Sequence, residues 1–490
     1  MSALLVSSRR YLVHTFGCQM NAHDSDRMEE VLRAHGWTSA ESVEDADLVV
    51  LNTCSVREKA EQKLRSEVGK LAPLKSRKNR GLVLAVAGCV AQQEGEKLLA
   101  RVAHLDLVIG PDNLAELPML AADQMAGAPP RARTVFDLDA PRFLAAAPEP
   151  GAAPVSAFVT TMKGCDERCS FCIVPYTRGP ERYRPSAEII EEIARWVDSG
   201  AREVTLLGQT VDSYRDASLP PPASDDPDES QFPALLRAIA ERVPGLRRLR
   251  YTSPHPRHAT AALARAHAEL DVLAHHIHMP VQSGSDRMLK RMIRRYTRAE
   301  YTERVRRLLG ARPDMTVSTD VIVGFPGETE EDFQATLDLV RDIGFTGLFG
   351  FKYSPRPFTP ALKLKDDVTE AEKSDRLARL FEVCEAQTRA HLATLVGTRQ
   401  EVLIEGLGKS NDATRGPTWE GRTARNEIVH VDGRTTNGRG LTGELVEVTI
   451  TQAFKHSLAG EPTPSAIEKL PPEGSVPRPA RRRRALPLVL

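Results

Sequence analysis

No excess of charge marks this chain: 66 basic residues balance 66 acidic ones over 490 positions. That balance argues against a protein that clings to polyanions non-specifically, and it confines any nucleic-acid contact to local patches. Nor does any apolar run approach the roughly 18 residues of a membrane span. The run Ala3–Val6 is too short for the apolar region of a signal peptide. With neither feature, a cytoplasmic protein is expected, where thiols stay reduced and grouped cysteines read as metal ligands rather than disulfides. Hydrophobic content of 41% and charged content of 27% describe a globular chain with ample core. The length points to about three domains, and nothing demands more than a monomer.

Cysteines are few, seven in all, and unevenly placed. Cys165, Cys169 and Cys172 lie close together, and no further cysteine follows until Cys384. A structural zinc site takes four ligands, usually two CxxC-like pairs or one such pair with two histidines, and neither set is nearby. Three thiolates at this spacing suit three corners of an iron–sulfur cube whose fourth iron stays open. Buried thiols that merely pack are the competing reading. The spacing Cys-x3-Cys-x2-Cys, with Phe171 before the last cysteine, resembles the cluster loop of radical S-adenosylmethionine (SAM) enzymes. That resemblance implies a 4Fe-4S cluster whose open iron is chelated by SAM.

Residues 8–125 repeat one pattern. The runs Tyr11–Phe16, Asp47–Asn52 and Leu82–Ala87 are continuous and apolar, each followed by a helical segment, and a fourth run covers Leu105–Ile109. Such strands alternating with helices predict a doubly wound parallel sheet covered on both faces. Cys18, Cys54 and Cys89 each follow one of the first three strands. In a parallel sheet those ends share one edge, so three cysteines far apart in sequence should converge there. A second three-thiolate cluster is the expectation, against three cysteines that only pack.

The words around these cysteines carry a further resemblance. His14-Thr15-Phe16-Gly17-Cys18-Gln19-Met20-Asn21, then Asn52-Thr53-Cys54-Ser55-Val56-Arg57-Glu58-Lys59-Ala60, then Ala87-Gly88-Cys89 look like the N-terminal domain of the methylthiotransferases. Within that family they are similar to the tRNA enzymes acting on N6-dimethylallyladenosine, whereas the enzyme acting on a ribosomal-protein aspartate words its first motif differently. The resemblance covers about residues 10 to 457.

Residues 126–154, rich in Ala and Pro, read as an extended tether. From 155 to 386 a new strand-and-helix series begins, and its six βα units predict an open (β/α)6 radical SAM barrel. Active groups of such barrels gather at the C-terminal mouth. The resemblance offers Phe171, Gly208, Gln209, Gln282, Ser283, Gly324, Gly327 and Glu328 as candidate SAM and substrate contacts in the loops there. Turn chemistry alone is the other reading of those loops. Where the family usually has Gly this chain has Phe358, so that loop is expected to bend differently. The acidic, Pro-rich segment Asp216–Gln231 reads as a disordered insertion. On a strand only His276 and His278, of the three histidines with His275, share a face, and hydrogen bonding is a better account of them than metal binding. Cys384 is expected against the core.

Residues 390–457 change to short strands with Gly-rich turns, a small β-barrel pattern of the kind that binds oligonucleotides. They resemble the RNA-binding TRAM domain. Arg399, Lys409, Arg415, Arg422, Arg425, Arg434, Arg439 and Lys455 supply cations, but acidic residues are as numerous. Residues 458–490, ending near Arg481–Arg484, read as a disordered tail.

Taken together the resemblances imply methylthiolation at carbon 2 of N6-dimethylallyladenosine, next to the tRNA anticodon. SAM and two 4Fe-4S clusters would be the cofactors, one cluster cleaving SAM and one holding sulfur. The tRNA anticodon loop, an electron donor and an undefined sulfur donor would be the partners. A methylthiotransferase for threonylcarbamoyladenosine, or a non-catalytic iron–sulfur RNA-binding redox sensor, are the alternatives.

Overall fold

The computed structural model describes residues 9–55, 58–77, 81–139, 141–146, 148, 153–408, 418–433 and 440–469, without the side chains of 58–60, 76 and 77. Val56, Arg57, Lys409, Arg415, Arg434, Arg439 and Arg481–Arg484 therefore lie outside the described residues.

The N-terminal sheet has six parallel strands, in the order Thr38–Ser39, Arg10–Phe16, Leu48–Thr53, Val83–Gly88, Leu107–Ile109, Arg131–Arg133. Leu48–Thr53 and Val83–Gly88 are buried at every residue, as two-sided cover requires. Alternate side chains serve two cores. Leu48, Val50, Val83 and Ala85 pack with Met28, Leu32, Leu117 and Leu120 on one face. Val49, Leu51, Leu84 and Val86 pack with Leu64, Val68 and Leu98 on the other.

The sixth strand corrects the expectation of a tether. Arg131–Arg133 pairs in parallel with Leu107–Ile109, and Ala146 and Ala153 pack into the next domain's core. An edge strand is held by main-chain bonds, so it needs no apolar signature.

Six parallel strands follow: Ser156–Thr160, Glu203–Leu207, Arg248–Tyr251, His276–His278, Thr316–Val323 and Gly347–Lys352. They form two three-stranded sheets joined by a parallel bridge between Leu249 and Leu273. The first and last strands are not paired with each other, so the barrel is open. Cys384, on the helix Glu370–Thr394, is buried in its core as expected. His276 and His278 both hydrogen-bond to Ser318 Oγ, at 2.9 and 2.8 Å.

Asp216–Gln231 is ordered, against expectation. Asp228 pairs with Arg257 and lies 3.1 Å from Arg304, while Glu229 is buried with Ser224 Oγ and the Ala223 N–H donating to it. Asp228 finds its cations on neighbouring segments and Glu229 its donors within the insertion, which composition alone does not reveal.

The last domain is a closed five-stranded barrel in the order Arg399–Leu407, Thr418–Thr423, Ile428–Asp432, Leu458–Pro462, Leu445–Ala453. Leu458–Pro462 closes it from within the supposed tail, so the tail begins later than 458. The turn around 422–427 plugs the N-terminal end of the large barrel. Arg250 donates to Thr423 O at 2.9 Å, the His275 N–H to Ala424 O at 3.0 Å, and Thr316 Oγ1 to Arg425 O at 3.2 Å. Glu203, buried beside Arg248 and Arg250, balances the charge of that floor.

Candidate cluster sites at the mouth of the barrel

Strand register brings the first three cysteines together. Phe16 pairs with Thr53 and Thr53 with Gly88, so Cys18, Cys54 and Cys89 emerge side by side at one sheet edge. Two fully buried asparagines lock those ends. Asn21 Nδ2 donates to Thr53 O at 3.2 Å, and Asn52 Nδ2 donates to Asn21 O at 2.8 Å and Ser25 Oγ at 2.9 Å. Both sit within the quoted motifs, yet their locking role was not read from the sequence. Gly17, at φ +137°, is needed for close approach: a Cβ there would lie 2.5 Å from Cys54 Cβ.

Electrostatics favour anionic sulfur at Cys18 and oppose it at Cys89. A hydrogen bond from Cys54 lowers the Cys18 thiol to about 6, with Arg178 adding to it against the upward pull of burial. Burial raises the Cys89 thiol, and Arg178 opposes that too. Arg178 is buried and its Nη2 lies 2.6 Å from Asp24 Oδ2. It comes from the other domain, as the last residue of the helix Val174–Arg178 that follows the cluster loop. Nothing in its local sequence distinguishes it.

The second triad sits on a loop closed by the short antiparallel pair Met162–Lys163 and Arg182–Tyr183. Thr210 Oγ1 is 3.0 Å from Cys165 Sγ, and Arg294 Nη1 donates to Cys169 Sγ at 3.1 Å. Arg294 is held by Tyr296 Oη at 2.8 Å and Pro280 O at 3.0 Å. Burial pushes the Cys165 thiol up, and burial with the neighbouring Cys169 pushes Cys172 up to about 12. Without a cluster the Cys165 and Cys172 thiols are therefore neutral, and ligation must displace their protons. Thr210 and Arg294 reach the thiols of this triad through space, from segments far along the chain.

Gly164 has φ +79°, and a Cβ there would lie 2.5 Å from Gly179 O and Pro180 C, backbone atoms with little room to give. Gly164→Ala is expected to displace the loop and to lose most of the iron held by this triad. Iron content and SAM cleavage measure it.

The candidate cofactor residues divide into two sets. Gly208 and Gln209 follow the strand Glu203–Leu207 and directly precede Thr210, the neighbour of Cys165. Both amide atoms of Gln209 are buried with no hydrogen-bond partner among the described residues, an arrangement that a polar ligand would satisfy. Phe171 packs against Met288, Met292, Phe325 and Tyr353, which brings the Gly324 loop next to the cluster loop. Buried Gln282 has φ +74°. Ser283 and Glu328, by contrast, are engaged internally. Ser283 Oγ accepts from the Ser285 N–H at 3.2 Å, and Glu328 accepts from the Gly324 N–H at 2.6 Å and Arg376 at 2.9 Å. Burial raises Glu328 to about 7 despite those donors. The Gly327 N–H donates to Asp367 at 2.7 Å.

Both triads have the donor set of a cube with one open iron: three thiols, buried or half-buried, with donors or cations at hand. Among the described residues no three His, Cys, Asp or Glu side chains could grip a single metal ion. The helix that follows Cys172 packs on the helix that begins at Cys89, so the two sites adjoin. Besides Asp24–Arg178, the N-terminal domain meets the barrel mouth through His23 and Thr160 Oγ1 at 3.2 Å, Asp112 and Lys163 at 3.2 Å, and Glu61 and Arg356 at 3.4 Å.

Comparison with known proteins agrees. Residues 10–110 match the uncharacterized protein family UPF0004, 159–340 the radical SAM superfamily and 393–463 the TRAM domain. A solved radical SAM methyltransferase, TsrM of Kitasatospora setae, shares the fold with TM-score 0.50 at 16% identity, over 72% of this chain and 74% of that one. The tRNA-2-methylthio-N(6)-dimethylallyladenosine synthase of Sorangium cellulosum is 64% identical over 98% of this chain and 99% of its own length. The enzyme of that name from Geobacter sulfurreducens is 46% identical over 93% and 98%. The chain thus belongs to the tRNA-2-methylthio-N(6)-dimethylallyladenosine synthase family of radical SAM enzymes.

Proposed function

We propose that this chain methylthiolates carbon 2 of N6-dimethylallyladenosine in the anticodon loop of tRNA, in the cytoplasm. The observation that carries the reading is the pair of three-thiol sites on adjoining segments at the barrel mouth. Cys165, Cys169 and Cys172 hold one 4Fe-4S cluster, and Cys18, Cys54 and Cys89 hold the other. When bound, the first supplies the electron that cleaves SAM, for abstraction of an unactivated hydrogen, and the second carries the sulfur that is transferred. The protein supplies placement and exclusion of water. Gln209, whose buried amide has no partner among the described residues, is the residue we assign to SAM; Phe171, Gly208, Gln282 and Gly324 shape the same region. Ser283, Gly327 and Glu328 serve it by holding their loops. Arg294 and Thr210 fix the thiols of the first site, while Arg178 sets positive charge beside the second. The small C-terminal barrel binds the RNA, where unpaired loop bases are free to splay into a pocket.

The test is anaerobic reconstitution followed by reaction with SAM, a reductant and tRNA bearing N6-dimethylallyladenosine. Mass spectrometry should find the 2-methylthio nucleoside together with 5′-deoxyadenosine. SAM cleavage without product on this tRNA, but with product on tRNA bearing threonylcarbamoyladenosine, would move the assignment to that nucleoside. No cleavage despite a full complement of iron would leave the redox-sensor reading.

A further inference from the structure

Three exposed apolar side chains stand around the mouth on segments tied to the cluster loop. Tyr176, Ile293 and Phe358 are 41%, 40% and 56% exposed. Tyr176 lies in the helix Val174–Arg178, just past Cys172. Ile293 and Phe358 lie on the two loops that Ser170 joins: it donates to Met292 O and Arg291 O and accepts from the Ala361 N–H, at 2.9, 3.0 and 2.8 Å. The Tyr176 and Phe358 rings are 5.9 Å apart, tilted by 37°.

Ile293 and Phe358 also carry strain, with φ of +56° and +67°. Bulky side chains rarely adopt that left-handed backbone, and such outliers gather at ligand sites. For Ile293 a local reason is visible, because its neighbour Arg294 must reach Cys169. Phe358 has no such task. A glycine would take its conformation freely, and its ring points to solvent with Tyr176 beside it. The loop thus takes a glycine-like turn and bears an aromatic on it.

An exposed aromatic pair suits a flat apolar ligand. Exposed cations on the same segments, Arg168, Lys290 and Arg295, suit an anionic one. A single-stranded nucleic acid is both, since bases stack on aromatic rings while cations follow the backbone. We infer that Tyr176 and Phe358 form a stacking step for an unpaired base of the anticodon loop, next to the base being modified. This rests on the tRNA substrate proposed above.

The test uses the full, reconstituted chain and an anticodon stem-loop RNA carrying N6-dimethylallyladenosine, with 2-aminopurine at an adjoining unpaired position. Binding to the native chain should quench the 2-aminopurine emission. Phe358→Gly removes the ring and relieves the strain, so its iron content and thermal midpoint should match the native chain. Its affinity for the RNA should fall roughly 5- to 100-fold, with quenching lost and KM raised more than kcat is lowered. Tyr176→Leu should act in the same direction, and Phe358→Trp should retain binding. Native affinity and quenching in both Phe358→Gly and Tyr176→Leu would overturn the stacking step. Failure of the native chain to bind this RNA would instead overturn the substrate reading beneath it.

Discussion

A Cys18→Ala chain is expected to hold about four fewer irons than the native protein and to release no methylthiolated nucleoside, yet still to cleave SAM. The reason is spatial. Cys18 shares its sheet edge with Cys54 and Cys89, and no thiol of the Cys165 triad lies on that edge. Its removal takes a ligand from one site while Thr210 and Arg294 go on holding the thiols of the other. Two thiols cannot retain a cube that three held with one iron already open. Cys172→Ala is the complement and should abolish cleavage and product alike. Iron content, 5′-deoxyadenosine and modified nucleoside are the three readouts. If Cys18→Ala stops SAM cleavage while the Cys165 triad keeps its iron, the division of labour between the sites is wrong.

The second large effect concerns Arg178 and Asp24. Their side chains are 6% and 10% exposed, so solvent screens the pair weakly. Removing one partner of a buried ion pair strands the other charge and costs about 3–5 kcal/mol. Arg178→Met should therefore lower the thermal midpoint by several degrees, and Asp24→Asn should do nearly as much. Because Arg178 also faces Cys18 and Cys89, the methionine variant should bind iron poorly at that site when the asparagine variant still binds it. The sign of the pH dependence follows from Asp24. Burial would raise its carboxyl, but Arg178 and His23 outweigh burial and hold it at about 2, below the usual range near 4. A depressed folded value means stability that is complete above about pH 4 and is lost as the pH falls toward 2. Thermal midpoints of the native and Asp24→Asn chains should therefore converge on acidification. A gap that stays constant down to pH 2 would show that the carboxylate charge is not what matters.

Sequence pattern reached some features and not others for physical reasons. Buried parallel strands must be apolar on both faces, so Leu48–Thr53 and Val83–Gly88 announced themselves, and with them the edge on which Cys54 and Cys89 lie. Edge and closing strands carry no such requirement. Arg131–Arg133 and Leu458–Pro462 are held by main-chain bonds and were read as tether and tail. Asp216–Gln231 looked disordered because its acids are compensated by Arg257 and Arg304, partners brought near only by the fold. The gathering of the cysteines is legible because three of them share one loop and three follow strands that end at one edge. Arg178, Thr210 and Arg294 touch those thiols from distant segments, and no spacing rule links them.

The small barrel's seat at the floor of the large one sets a length. Its turn at 422–427 meets the first residues of the strands, and the thiols lie past their last ones. The strand Thr316–Val323, eight residues long, spans about 25 Å at roughly 3.3 Å per residue. An RNA gripped by the small barrel and modified at the mouth must bridge that distance along the outside of the protein. The molecule in this sense is a ruler, with hydrogen-bonded parallel strands for its rigid scale. On the function proposed above, a base would be chosen partly by how far it lies from the gripped stretch of RNA, a criterion that no contact with the base itself provides.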